Sequence, residues 1–89
     1  GTDRTSIMFV TKHAPGALVD VLAAFRDAEL NLSHIDKRPS GRVNWEYTFF
    51  IDVDAHREDE PLQKAIHSAE PHCVLLKVLG SYPRAETVL

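Results

Sequence analysis

A chain of 89 residues is long enough for one small domain with a single hydrophobic core and too short for two. Ten basic and 13 acidic residues give a formal charge of -3, and the absence of a basic block argues against a nucleic-acid surface. No apolar run approaches the about 20 residues that span a bilayer, and no signal-peptide pattern opens the chain. We therefore expect a soluble domain with small-molecule or protein partners, no nucleic acid and no membrane.

The single cysteine, Cys73, lies in an apolar run without the spacing of a zinc or redox motif. We interpret it as a buried thiol and expect a cytoplasmic location. The chain begins with Gly1 and enters its first strand within a few residues, which favours a piece cut from a longer polypeptide.

The first half of the chain predicts a strand followed by a helix. Residues 6–11 (SIMFVT) form a short, β-prone run. After the Pro-Gly pair at positions 15 and 16, apolar residues recur at the spacing of a helix with one buried face, and this helix is predicted to end near Glu29. These apolar residues are Leu18, Val21, Leu22, Phe25 and Ala28.

Two strands joined by a turn come next. Residues 30–36 (LNLSHID) alternate imperfectly, because Leu30 and Leu32 share one face while Ile35 falls on the other, so an irregularity is possible in strand two. Residues 39–44 (PSGRVN) carry the turn residues of a hairpin. From 43 to 53 the apolar side chains occupy every odd position, which predicts a strand with its odd-numbered side chains towards the core.

The second half ends in a helix and a strand. Leu62, Ala65, Ile66 and Ala69 recur at helical spacing behind the acidic residues 58–60, and Pro71 stops this helix. Residues 73–80 (CVLLKVLG) form the last strand. The order βαββαβ predicts an α+β, ferredoxin-like sandwich in which a four-stranded antiparallel sheet carries both helices on one face. The other face, with Phe50, would be bare, so self-association is expected.

The predicted register has the odd-numbered residues Trp45, Tyr47, Phe49 and Ile51 pointing at helix residues Leu18, Leu22, Phe25, Leu62 and Ile66. The chain is divided into a polar lead (1–4), a domain (5–80) and a tail (81–89).

Catalytic and metal-binding chemistry finds little support in the residues. The five histidines fall on different elements without ligand spacing, so we expect no metal and no cofactor. The loop before the first helix lacks the Gly-rich run and arginine of an acylphosphatase, and the acidic charge argues against an RNA-recognition module. No catalytic residue is assigned.

Two stretches remain, and each has a plain structural interpretation. Gly16 allows close backbone approach, and the first-turn amides of residues 17–19 could face a carboxylate at the positive end of the helix. A Pro-Gly pair also starts helices that bind nothing. Residues 36–40 (DKRPS) are equally typical of a hydrated strand end that turns into a hairpin. Spacing alone favours the plain interpretation of both.

Taken together, these stretches resemble the ACT domain found at the C-terminus of prephenate dehydratase. GALV (16–19) reproduces one family signature, and DKRPS (36–40) resembles the other, usually ESRP. WEYTFFIDVDAH (45–56) and KVLGSYPRA (77–85) are also similar to the bifunctional chorismate mutase/prephenate dehydratase and its single-function relatives. The resemblance implies a domain that binds phenylalanine, feedback-inhibits an attached dehydratase in phenylalanine biosynthesis, and forms a homodimer.

By the same resemblance, two walls would hold phenylalanine. One wall is His13, Pro15, Gly16, Ala17, Leu18 and Val19. The facing wall, largely from a neighbouring protomer, is Ile35, Asp36, Lys37, Arg38 and Pro39. Asp36 stands where relatives have Glu, and Lys37 where they have Ser. The catalytic Thr-Arg-Asp-Phe motif of the family is absent, so the chain alone is not expected to be an enzyme.

Two alternatives stay open. Residues 31–40 (NLSHIDKRPS) also resemble the regulatory domain of aromatic amino acid hydroxylases, whose equivalent domain lacks the KVLGSYP ending. Because the second wall is altered, a free-standing ACT module that serves only dimerisation is the other alternative.

Overall fold

The computed structural model describes residues 3–39 and 46–83. Over these ranges the order is β1 (Asp3–Thr11), α1 (Ala17–Asp27), β2 (Leu32–Pro39), β3 (Tyr47–Val53), α2 (Glu60–Ala69), a 3-10 turn (Glu70–His72) and β4 (Cys73–Pro83). The strands form one antiparallel sheet in the order β2-β3-β1-β4. The predicted βαββαβ sandwich is confirmed.

The core lies between the sheet and the helices. Phe49, Ile51 and Val53 of β3 are buried and Tyr47 packs half-buried against them. The ring of Phe49 stacks on that of Phe9 with their centroids 5.3 Å apart. The predicted register is therefore confirmed for the described part of β3, whereas Trp45 lies outside the described residues. The largest fully buried side chains are Phe9, Phe25, Ile7, Ile51, Leu62, Val21, Val53 and Thr5.

One predicted core residue of α1 lies beside the core. The buried stripe of the helix is Ala17, Val21 and Phe25, spaced four residues apart, with Leu18 packed against it. Leu22 is half-buried because it lies about 100° around the helix from Val21. The prediction that Leu22 faces β3 is therefore wrong.

A bulge in β2 changes which face Ile35 occupies. Leu32 pairs with Val53, but His34 and Ile35 pair with Asp52 and Ile51, so the register shifts between Leu32 and His34. The extra residue in the bulge shifts the alternation of β2 side chains by one position. Leu32 and Ile35 therefore lie on the same, helix-side face of the sheet. The predicted irregularity is confirmed, and the prediction that Ile35 falls on the face opposite Leu32 is wrong.

The two ends of the chain's described part pair with each other. Asp3 pairs with Pro83, so β1 begins before, and β4 ends after, the predicted strand limits. The buried Thr5 hydroxyl donates to the carbonyl of Ala55 at 2.6 Å and lies 2.7 Å from the hydroxyl of Ser81. The strand therefore crosses position 80, while the division into lead, domain and tail stays a prediction. Across the described residues, no helix has the length and apolarity to cross a membrane.

Candidate ligand-binding site

The loop from β1 to α1 is built around a tight turn. Gly16 has φ 76° and ψ 4°, the left-handed region, and it precedes the first residue of α1. Pro15 and Gly16 thus occupy the central positions of a type II turn, which requires positive φ at the second of them. A Cβ on Gly16 would meet no atom within 4 Å, so the backbone conformation, and not space inside the chain, calls for glycine here.

One of the three first-turn amides that were predicted to be open to a ligand is hydrogen-bonded within the turn. The Ala17 amide donates to the carbonyl of Ala14 at 3.2 Å, so the prediction is wrong for Ala17. The first helical hydrogen bond runs from the Asp20 amide to the Gly16 carbonyl at 2.9 Å. Within the described part of the chain, no acceptor bonds the amides of Leu18 and Val19. Two N–H groups therefore point outward at the positive end of α1.

A cleft of about 310 Å³ opens at these amides. The helix start and the preceding loop form it together, which brings five of the six predicted first-wall residues into one surface; Pro15 lies on the adjoining concavity with His13 and Ala14. The lining residues are Thr11, Lys12, His13, Ala14, Gly16, Ala17, Leu18 and Val19.

Sequence reasoning missed Thr11, Lys12 and Ala14. Lys12 adds a basic residue to the cleft, and its amide donates to the carbonyl of His72 at 3.0 Å, which fixes the loop against the turn before β4. Its place three residues before Pro15 was a usable signal, because a cation near unpaired amides favours an anionic ligand.

The second predicted wall is split between two faces of β2. Ile35 and Lys37 pair with the inward residues Ile51 and Phe49, whereas Asp36 and Arg38 pair with residues of the opposite face. Pro39 pairs with Tyr47 on the helix side. A flat strand presents alternate side chains to opposite faces, so these five side chains do not line one surface.

The side chains on both faces of β2 have partners within the chain. The Lys37 ammonium lies 4.7 Å from the centroid of the Tyr47 ring, and the Arg38 guanidinium lies 5.7 Å from that of Phe50. Arg38 Nε is 3.7 Å from a carboxylate oxygen of Asp36. These contacts are exposed and weak, so they order β2 without closing it to other partners.

The two walls do not meet within one chain. β3 and β1 separate β2 from the loop, and the cleft has no lining residue from β2. Two strand spacings amount to about 10 Å. Within one chain, the residues of β2 are therefore not part of this cleft.

The Cys73 thiol near the cleft is buried and is not activated as a nucleophile. Burial, aided by Glu70, raises the pKa of the Cys73 thiol, while Lys12 acts in the opposite direction. The thiol donates to the Ala69 carbonyl at 3.4 Å and is held neutral rather than as a nucleophilic thiolate. In residues 3–39 and 46–83, no three His, Cys, Asp or Glu side chains are placed to hold a metal ion.

The chain is a small α+β sandwich with a cleft at which two backbone amides of α1 are open. Residues 5–71 match the ACT domain family, and the chain belongs to that family. The resemblance of the sequence to the ACT region of prephenate dehydratases is thereby confirmed.

Relatives place this module inside larger proteins. The chain is 45% identical over 85 residues to the bifunctional chorismate mutase/prephenate dehydratase of Aquifex aeolicus, covering 96% of this chain and 24% of that protein. It is 34% identical to the prephenate dehydratase of Mycolicibacterium smegmatis, covering 93% and 27%. The prephenate dehydratase of Arthrobacter aurescens, solved in complex with L-Phe, superposes with a TM-score of 0.82 at 33% identity, over 93% of this chain and 28% of that one. The chain thus spans about a quarter of the length of these relatives.

Proposed function

We propose that this chain is the phenylalanine-sensing regulatory domain of a cytoplasmic prephenate dehydratase, alone or fused to chorismate mutase, and that phenylalanine bound to it feedback-inhibits that lyase. Relatives that contain this module are named as dehydratases, and one of them was solved with L-Phe. These names favour a dehydratase over a hydroxylase as the parent enzyme.

The observation that carries the proposal is the pair of open amides at Leu18 and Val19 in the cleft. A carboxylate of a free amino acid accepts hydrogen bonds from both, and the dipole of α1 adds about 0.3–1 kcal/mol. Lys12 supplies further positive charge. The other end of the amino acid then extends out of the cleft towards a second copy of the chain.

The facing wall comes from β2 of that second copy. Backbone carbonyls near Ile35 and Lys37 accept from the ligand ammonium, whereas the Asp36 carboxylate lies on the opposite face of β2. The phenyl ring lies between Leu18 and Ile35; Ile35 is 49% exposed in the single chain, which leaves apolar surface for the ring. Because the ligand contacts two protomers, binding and dimerisation reinforce each other, with an ordinary coupling of about 1–3 kcal/mol.

One feature favours a second candidate, a module that serves only dimerisation. Lys37 replaces the small serine of relatives, and its ammonium lies over the Tyr47 ring on the face that also carries Ile35. A long cation there narrows the space for a phenyl ring and gives the ligand ammonium a like charge.

Calorimetric titration of the chain separates these two functions. We expect saturable binding of phenylalanine and weaker binding of tyrosine, whose hydroxyl would be buried without a partner. Sedimentation at several phenylalanine concentrations should show a dimer that tightens with ligand. A dimer that binds neither amino acid would contradict the phenylalanine-sensing function and support a module that serves only dimerisation.

A further inference from the structure

The sheet face opposite the helices carries one aligned row across all four strands. The strand registers pair Asp36 with Phe50, Phe50 with Met8, and Met8 with Lys77. The row therefore begins with a carboxylate on edge strand β2 and ends with an ammonium on edge strand β4. Its charged ends are exposed, and its two central side chains are half-buried.

The neighbouring row runs from Arg38 of β2 through Thr48 and Val10 to Leu75 of β4. Leu75 is 45% exposed and Val10 only 5% exposed, while the Arg38 guanidinium lies 5.7 Å from the Phe50 ring on the β2 side. We call the apolar part of this face the open-face patch: Met8, Val10, Phe50 and Leu75. Apolar surface framed by charge on a flat sheet marks a contact surface for another protein layer.

The row is complementary to itself. Consider a second copy stacked on this face and related by a two-fold axis that runs along the strands between the two sheets. That rotation places β2 of one copy over β4 of the other, so Asp36 faces Lys77 of the second copy at both ends. It also places Phe50 over Met8 of the second copy in the centre.

We infer that the open-face patch is a contact surface for a second copy of this chain in that arrangement, with two Asp36–Lys77 pairs at its rim. Face-to-face sheets lie about 10 Å apart, a gap that a lysine side chain can bridge to a carboxylate. One Asp36 carboxylate oxygen accepts from the Lys37 amide at 2.9 Å and the other lies 3.7 Å from Arg38 Nε; both contacts are solvent-exposed, so the carboxylate can still accept from Lys77 of a second copy. The rim charges select the orientation more than they add affinity.

This contact is distinct from the proposed phenylalanine site. That site uses the amides of α1 and the helix-side residues Ile35 and Lys37, whereas the stacked contact uses the opposite face of the sheet. A four-strand face about 19 Å wide and 24 Å long covers about 450 Å² per copy, below the about 800 Å² of a stable interface. The stacked pair should therefore associate weakly and reversibly.

A charge swap tests the arrangement by sedimentation of the 89-residue chain over the micromolar to millimolar range, with no amino acid added. We expect Asp36→Lys and Lys77→Asp each to weaken self-association about tenfold, because each variant turns two attractive pairs into repulsive ones. The double variant Asp36→Lys/Lys77→Asp should recover association close to that of the wild-type chain. Met8→Lys, which places a charge in the centre, should abolish it.

Circular dichroism confirms that every variant is folded before it is compared. A double variant as weak as the single ones would overturn the pairing. Association that survives Met8→Lys would overturn it as well, because the charge would then lie outside the contact. A wild-type chain that stays monomeric throughout the range also overturns the inference. None of these experiments measures phenylalanine binding, so their outcome does not decide the proposed function.

Discussion

The residues that flank α1, Gly16 before it and Glu29 after it, both have left-handed backbone conformations. Glycine adopts this conformation without strain, whereas glutamate does not. Gly16 starts the helix at φ 76°, where glycine carries no penalty, and its Pro-Gly context made this turn predictable. Glu29 follows the helix at φ 59°, where its amide donates to Arg26 and the Leu30 amide donates to Phe25. This is a Schellman ending, which favours glycine, and a glutamate there gives no sequence signal of its geometry.

Replacing Glu29 should stabilise the chain. Glu29→Gly removes the penalty for a side chain in the left-handed region, so we expect the free energy of unfolding to rise by about 1 kcal/mol in urea denaturation. Glu29→Ala is the matched control, because it removes the same carboxylate but keeps a Cβ, and it should gain much less. Equal gains from both variants would assign the effect to charge and contradict the backbone argument.

Cys73 makes stability depend on alkaline pH. Burial raises the pKa of its thiol above the ordinary 9.0, so the unfolded chain loses this proton at lower pH than the folded chain. The stability held by the neutral thiol is present below the unfolded pKa and is lost as pH rises through the folded pKa. We expect wild-type stability to fall more steeply above pH 9 than that of Cys73→Ala, as followed by denaturation at a series of pH values. Parallel curves would count against a buried, neutral thiol.

At the scale of elements, periodicity predicted most of the fold. Strict alternation in β3 fixed its register, and the three-and-four spacing fixed both helices. The bulge in β2 could only be suspected, because a shift of one residue depends on pairing with β3 rather than on local pattern. The hydrogen bond from the Ala17 amide to the Ala14 carbonyl was not predicted, because it belongs to the turn before α1 and not to the helical spacing.

Phe49 joins β3 to the rest of the core. Its ring stacks on Phe9 under the helices, so Phe49→Ala leaves a cavity that the packed sheet cannot close. We expect a loss of about 3–5 kcal/mol, enough to unfold much of a domain this small. Phe50→Ala, the next residue on the open face, is the control and should cost far less. Urea denaturation of both variants gives the comparison, and similar costs would contradict the observed register.

At the scale of the whole molecule, the fold was predictable, whereas the site was predictable only in part. The open amides follow from any helix start, but motif resemblance was needed to single them out. A one-chain sequence pattern also cannot show that Leu32 and Ile35 face the same side of the sheet, because the bulge between them depends on the pairing with β3.

The isolated chain should have no turnover. Open backbone amides line its cleft, and the Cys73 thiol, which lies outside that lining, is kept neutral by burial. We therefore expect no conversion of prephenate to phenylpyruvate by purified residues 1–89 in a spectrophotometric assay. Conversion above the rate without protein, and in proportion to its concentration, would contradict a purely regulatory role.

We expect phenylalanine to bind at the start of α1, and calorimetric titration of matched variants tests this binding. Val19→Asp puts a carboxylate beside the open amides at a position that is 66% exposed, where an acidic residue suits the helix start and should not impair folding. Leu79→Asp, 53% exposed on β4, is the control. Gly16→Val, which blocks backbone approach at some cost in stability, gives a second probe.

We predict that the wild-type chain and Leu79→Asp bind phenylalanine with similar affinity, and that Val19→Asp and Gly16→Val, shown to be folded at the titration temperature, bind at least about tenfold more weakly. Binding of phenylalanine by Val19→Asp and Gly16→Val with the affinity of the wild-type chain would contradict a site at the start of α1.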